Sequence, residues 1–272
     1  MTDTFHVQPD YAAVAREAGL DAAAVFTDER VRVWRALPDR ENATLDHVRP
    51  DGSTVRLHVK RYPAAHAAAA AEVAGHELLT AANIPTAPLV AHGRLGDGRS
   101  FVIFADLAGY TPADKLVGAG SPFEPLLIPT ADLAAALHAA GLHHRDLYLC
   151  HFMVRPDPFD VRLIDVARVA RMKNPLTRPR WIVKDLGQFW YSTTKLAVSD
   201  VQRRRWLEHY AERRSVGAPR LAWSVRGKAA AIARHDVRLN ARQPRRNVSI
   251  PTTDAPDVDP LPSTQVPPAD VL

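Results

Sequence analysis

The sequence predicts an α+β fold in two parts, an antiparallel sheet carrying one main helix followed by a mostly helical half. Three observations carry this reading. Val31 through Tyr62 alternates apolar and polar residues and holds a strong hairpin signal at Asp51-Gly52. Beyond Asp106-Leu107-Ala108-Gly109 the pattern turns helical, with Leu133 and Leu137 four apart and Trp181, Leu186, Phe189 and Trp190 at helical spacings. Between the helical runs, a polar stretch from His144 to His151 is followed by a short apolar run ending in Asp165.

Residues 1–30 read as an N-terminal lead. Tyr11–Gly19 is Ala-rich and ends in a glycine stop, a short helix with no assigned chemistry. Residues 31–107 make the first lobe. Val31, Val33 and Leu37 alternate with Arg32 and Trp34, Pro38 to Asn42 is a turn cluster, and Thr54 to Tyr62 is a clean strand that ends near Lys60. Ala64 to Ala82 is a helix by composition, with Glu72 and Glu77 its only acids, and Pro85 and Pro88 forbid its continuation. A carboxylate there can pair with Lys60, and Glu72 is the choice. Leu89–Gly93 is a strand, Gly96–Arg99 a turn, and Ser100–Ala105, with Ile103 inside it, a buried central strand.

Residues 108–250 make the second lobe. Thr111–Val117 is a short helix with Thr111 as N-cap, Pro122–Pro129 is irregular, and Thr130–Ala140 is a helix stopped by Gly141. Phe152–Val154 and Val161–Ile164 form a hairpin about Pro156-Asp157-Pro158. Trp181–Leu196 is a buried helix whose Asp185 needs a partner. Val201–Ala211 and Leu221–Leu239 are further helices. Residues 251–272, with six prolines, four Asp and no Lys or Arg, read as a disordered tail.

Composition narrows the function classes. No apolar run approaches the roughly 18–20 residues of a membrane span. The N-terminus lacks the basic-then-apolar order of a secretory signal. The single cysteine, Cys150, excludes an intrachain disulfide and makes a cytoplasmic location the default. The net charge of +5 is uneven, because residues 201–250 carry 13 Lys/Arg against 3 Asp/Glu. Such a segment suits nucleic acid, anionic lipid or a phosphorylated ligand, or is only a solvated helical face. Trp206, Tyr210 and Trp223 read as packing residues rather than a base-stacking platform, against nucleic-acid binding.

The chemistry concentrates between His144 and Asp165. Phosphoryl transfer needs a carboxylate that accepts or orients the attacking hydroxyl, here Asp146. It needs a second on the Mg²⁺ that neutralises the phosphates, here Asp165, nineteen positions on. The run His144-Arg145-Asp146-Leu147-Tyr148-Leu149-Cys150-His151-Phe152, with Leu163-Ile164-Asp165-Val166-Ala167-Arg168 and Lys184-Asp185-Leu186, resembles the lipopolysaccharide core kinase family. These heptose and Kdo kinases are a divergent branch of the protein-kinase-like fold. Looser matches are Val59-Lys60-Arg61 and Glu72 through Ile84-Pro85-Thr86, and the resemblance covers roughly residues 31–211.

The resemblance implies a two-lobed protein-kinase-like fold that uses ATP and Mg²⁺. Asp146 would be the catalytic base, Asp165 a metal ligand, Lys60 the lysine on the ATP phosphates and Glu72 its ion-pair partner. Asp106 and Ile103 would lie beside the adenine at the hinge, and Asp185 would bond the backbone of the catalytic loop. His151 stands where ordinary protein kinases have a metal-binding Asn. It can bind the metal, contact a phosphate or support the loop. Three features depart from ordinary kinases: no Gly-rich loop in 31–48, Val-Ala-Arg after Asp165, and only nineteen positions from Asp165 to Lys184. The implied acceptor is the lipopolysaccharide core on lipid A, met on the inner face of the cytoplasmic membrane, with residues 201–250 touching anionic lipid. A kinase of a small aminoglycoside-like molecule and a degenerate, nucleotide-binding pseudokinase remain alternatives.

Overall fold

The computed structural model of the chain describes residues 2–64 and 68–242. The expected tail at 251–272 and the end of the basic segment lie outside the described residues. The first lobe holds strands β1 (Thr4–Val7), β2 (Val31–Leu37), β3 (Arg40–Val48), β4 (Thr54–Tyr62), β5 (Leu89–Arg94) and β6 (Ser100–Ala105). They form one antiparallel sheet in the order β1-β5-β6-β4-β3-β2.

Period-two alternation gives this sheet two different faces. Leu45, Leu57, Val59, Phe101 and Ile103 point to one side. There they pack with Ala15 and Ala18 around helix α1 (Ala12–Glu17) and with Val25 of helix α2 (Ala24–Thr27). Tyr62, Val102 and Phe104 point to the other side, in one core with helix α3 (Ala68–Ala81) and the second lobe. Lys60 shares the parity of Tyr62, so it faces α3.

The N-terminal residues are therefore not a separate lead. They supply an edge strand and the helical cover of one sheet face. β1 can pair with β5 because residue 93 is glycine: a Cβ built there would fall 2.0 Å from the Thr4 carbonyl oxygen.

The second lobe contains β7 (Thr111–Pro112), α4 (Ala113–Gly118), α5 (Glu124–Ala139), β8 (Leu142–His143), β9 (Phe152–Pro156) and β10 (Phe159–Leu163). It continues with β11 (Ala170–Arg171), α6 (Arg178–Thr193), α7 (Asp200–Arg213) and α8 (Ala218–Arg242). The small sheets have the orders β10-β9-β7 and β11-β8. α5 runs through the Pro122–Pro129 stretch expected to be irregular. Pro125 sits in its first turn, where the missing N–H is harmless. Pro129 removes one interior bond, and burial of Leu126, Leu127 and Ala131 on the same turns outweighs that loss. Phe189 and Trp206 stack at 3.9 Å between α6 and α7, and the indole N–H of Trp206 donates to Thr130 Oγ1 at 2.9 Å. Ser199 and Gln202 form a capping box that starts α7.

Candidate active site

A cleft of about 1420 Å³ lies between the lobes, and Lys60, Asp106, Asp146, His151 and Asp165 all line it. Trp34, Arg35 and the Pro38–Arg40 turn of the β2–β3 hairpin line it from the first lobe, where a Gly-rich loop was absent from the sequence.

The β4–α3 contact builds the first cluster. Lys60 Nζ lies 2.5 Å from Glu72 Oε1 and 3.1 Å from Asp165 Oδ1, and Tyr62 donates its hydroxyl to the same Glu72 oxygen at 3.1 Å. Glu72 is 1% exposed. Burial opposes the charge on Lys60, but Glu72 and Asp165 outweigh it and hold the amine well above the usual lysine range. Lys60 in turn holds the Asp165 carboxyl far below the usual carboxylate range, against its burial. Gly75 permits the approach of α3 to the turn that follows Asp165. A Cβ at position 75 would lie 2.0 Å from the Val166 carbonyl oxygen.

The second cluster is the loop 144–151, held from below by one face of α6. Asp185 accepts the backbone N–H of His144 at 2.7 Å and of Arg145 at 2.8 Å. His138 adds a third contact at 3.3 Å. Burial works to raise the Asp185 carboxyl, but these partners hold it below its usual value. Lys184 Nζ and Gln188 Nε2 both donate to the Arg145 carbonyl at 2.9 Å. Gln188 accepts from the Leu147 N–H at 3.2 Å, and Ser192 Oγ from that of Leu149 at 2.9 Å. These bonds hold Arg145 at a φ of 69°, a left-handed conformation that a bulky side chain rarely adopts. Asp165 shares that region at 62°.

Asp146 emerges from this loop beside Arg168, whose guanidinium lies 3.3 and 3.2 Å from its two carboxylate oxygens. His151 Nδ1 donates to the Asp146 carbonyl at 2.6 Å, and its Nε2 stands 3.7 Å from Asp165 Oδ2. The imidazole therefore ties the loop carrying Asp146 to Asp165. His144, stacked against His151 at 5.9 Å, is pushed down to about 4 by burial and by that neighbour.

The two hinge residues point to opposite faces of the sheet. Asp106 lines the cleft, but its carboxylate meets His58 Nε2 at 2.6 Å. Ile103 does not line the cleft. Its side chain is fully buried on the α1–α2 face of the sheet, and alternation gives the cleft position to Phe104.

Asp165 is the oxygen donor that suits a Mg²⁺ ion, with about a third of its side chain open to the cleft and only Oδ1 bonded to Lys60. Among the described residues no three His, Cys, Asp or Glu side chains converge on a metal-sized site. Mg²⁺ held by one or two carboxylates together with nucleotide phosphates requires no such cluster. Gln188, Ser192 and Gly75 were not singled out from the sequence. The four- and eight-residue steps from Lys184 to Gln188 and Ser192 were the available signal for the first two.

The sequence matches the family profile described as Lipopolysaccharide kinase (Kdo/WaaP) family over residues 23–210. It is 27% identical over 149 residues to the lipopolysaccharide core heptose(I) kinase WaaP of Pseudomonas aeruginosa, covering 48% of this chain and 55% of that protein. It is 30% identical over 91 residues to the protein of the same name from Escherichia coli K12, covering 31% of this chain and 34% of that protein. The matched segments thus span about half and about a third of the lengths of these curated relatives.

Proposed function

The chain belongs to the lipopolysaccharide kinase (Kdo/WaaP) family, and from that premise we propose that it transfers the γ-phosphate of ATP to a heptose or Kdo hydroxyl of the lipopolysaccharide inner core. The observation that carries this is one cleft lined by Lys60, Asp165 and Asp146, with the buried Glu72 holding Lys60 from behind. Lys60 holds the nucleotide phosphates, and Glu72 keeps its amine on that side of the cleft. Asp165 would hold Mg²⁺, which would supply charge neutralisation to the phosphates. His151 supports the loop and Asp165 rather than supplying a metal bond, because oxygen donors suit Mg²⁺ better than imidazole. Nucleobase contact falls to the hinge backbone at Asp106 and to Phe104.

Asp146 accepts the proton of the attacking hydroxyl on a carboxylate oxygen as the new P–O bond forms and the bond to the leaving ADP oxygen breaks. For that oxygen to be available, Arg168 must swing off it. The acceptor is the lipid A-linked core at the cytoplasmic face of the membrane, with the basic α7–α8 surface toward anionic lipid. No helix among the described residues is long and apolar enough to cross a membrane.

The test is Mg²⁺-dependent ATP turnover by wild type and Asp165→Asn, with and without a lipopolysaccharide core acceptor. Turnover stimulated by acceptor and abolished by the substitution is expected. Turnover indifferent to the acceptor would move the substrate to a small soluble molecule, and folded, nucleotide-binding protein with no turnover at all would overturn the reading.

A further inference from the structure

The cleft wall also carries cations with donors that the roles above leave spare. Lys184 reaches it from α6 and Lys228 from α8. Lys228 takes its course because residue 187 is glycine. A Cβ built on Gly187 falls 2.7 Å from Lys228 Cγ and 3.0 Å from its Cβ, so the lysine stem lies directly on the α6 backbone. Glycine is unfavourable in a helix interior, and here it sits in a buried stretch between Leu186 and Gln188. What the position gains is room for that lysine.

Among the described residues Lys228 has no ion-pair partner. Lys184 spends one donor on the Arg145 carbonyl, while burial and the nearby Arg168 work against its charge. Arg168 itself rests on Asp146. Lys184 and Arg168 therefore stand close together beside Asp146, and Lys228 lines the same cleft. Of the other acids on the cleft wall, Asp236 is engaged by Tyr191 and by Lys195 at 3.1 Å, Asp165 by Lys60 and Asp106 by His58, while Asp39 lies on the β2–β3 turn and Asp114 on α4. Like charges held together in this way are relieved by an incoming anion.

We propose that Lys228 and Lys184, joined by Arg168, form an anion subsite that holds a phosphate or carboxylate group of the acceptor beside the hydroxyl presented to Asp146. The inference rests on the phosphotransferase reading of the cleft and names its acceptor class as an anionic saccharide. The same acceptor anion draws Arg168 away from Asp146, so that anchoring the acceptor and freeing the base are one event.

The experiment uses the full chain and steady-state phosphorylation of a lipopolysaccharide core acceptor. Lys228→Met raises the acceptor KM about tenfold, leaves the ATP KM within about twofold, and is largely rescued by Lys228→Arg. Acceptor stripped of phosphate by a phosphatase, and acceptor with its carboxylates esterified, separate the two sources. The treatment that erases the difference between wild type and Lys228→Met identifies the anion. An unchanged acceptor KM, or a rise in the ATP KM in its place, overturns the subsite. If wild type phosphorylates no core acceptor, the proposed function fails and a second readout decides the subsite alone. Inorganic phosphate raises the melting temperature of wild type more than that of Lys228→Met or Lys184→Gln, and equal shifts in all three would sink it.

Discussion

Two cation–carboxylate contacts face each other across the cleft, and they are built differently. Lys60 is shared by Glu72 and Asp165 at 2.5 and 3.1 Å, with Glu72 1% exposed and Lys60 21%. Arg168 touches Asp146 at 3.2 Å with 49% and 23% of the two side chains open to solvent. The first pair joins three separate elements, β4, α3 and the turn after β10. The second joins two loops and covers both carboxylate oxygens of Asp146, the proposed base. Buried charges that have left water hold each other firmly because neither can be left alone, whereas exposed pairs are worth little and exchange partners easily. In the proposed function the first contact is the fixed, nucleotide side of the cleft and the second its displaceable, acceptor side.

The sharpest way to break this comparison is Lys60→Met. It leaves Glu72 charged, buried and short of partners, with its Oε2 already unsatisfied. A loss of about 3–5 kcal/mol in stability is expected, read by urea unfolding, with turnover down at least about a hundredfold. The double variant Lys60→Met with Glu72→Leu should recover most of the stability and none of the turnover. Recovery of both would mean that the pair is architecture and not catalysis.

Gly75→Ala probes the same side without touching a charge. The new methyl would sit 2.0 Å from the Val166 carbonyl oxygen, and backbone cannot step aside as a side-chain tip can. α3 must retreat from the turn after Asp165, taking Glu72 with it. Overpacking of this kind is expected to lower stability by about 1–3 kcal/mol and to weaken ATP binding, measurable by calorimetric titration. A fully active Gly75→Ala would show that α3 has slack.

How much of this was legible follows from the same contrast. Lys60, Glu72, Asp146 and Asp165 could be named because charged residues stand at recognisable spacings on strand, helix and loop. The structure brings Lys60, Asp146 and Asp165 to one cleft and sets Glu72, buried, against Lys60. The parity of β4 was readable too, since alternation alone puts Lys60 with Tyr62. Ile103 failed on that rule, because naming a hinge strand does not say which of its faces meets the cleft. β1 and α2 were missed because four-residue elements carry too little periodicity, and the edge pairing of β1 depends on Gly93, far along the chain from Thr4. Pro125 and Pro129 argued locally against α5, and tertiary burial overrode them. Gln188 and Ser192 could be placed on the Lys184 face of their helix by spacing, but a polar residue on a helix says nothing about which loop it will bond.

The loop 144–151 gives a pH test of intermediate size. His144 is fully buried, and its pKa is pushed down to about 4 from an unfolded value near 6.5. Between those values the unfolded chain binds a proton that the folded chain refuses, so stability falls as pH drops from about 6.5 to about 4. The contribution is fully present above about 6.5. His144→Gln keeps a donor for the Ile164 carbonyl, which His144 Nε2 meets at 3.1 Å, and has no proton to gain. Its acid limb should be shallower by roughly 1 kcal/mol per pH unit, read from unfolding free energies at pH 7, 6 and 5. Parallel limbs in the two proteins would assign the acid sensitivity elsewhere.

Arg168→Ala is expected to do least to the fold and so sharpens the comparison most. The contact is exposed and joins loops, so its removal should change unfolding free energy by less than about 1 kcal/mol. Asp146 is not stranded by the loss, because Gln188 Nε2 still donates to its Oδ1 at 3.3 Å. The same substitution should raise the acceptor KM and leave nucleotide affinity unchanged, because only the acceptor's anion competes for that guanidinium. A stability loss as large as that of Lys60→Met would erase the distinction between the two sides. A loss of ATP affinity would place Arg168 on the nucleotide instead, leaving Asp146 uncapped only when the nucleotide, not the acceptor, arrives.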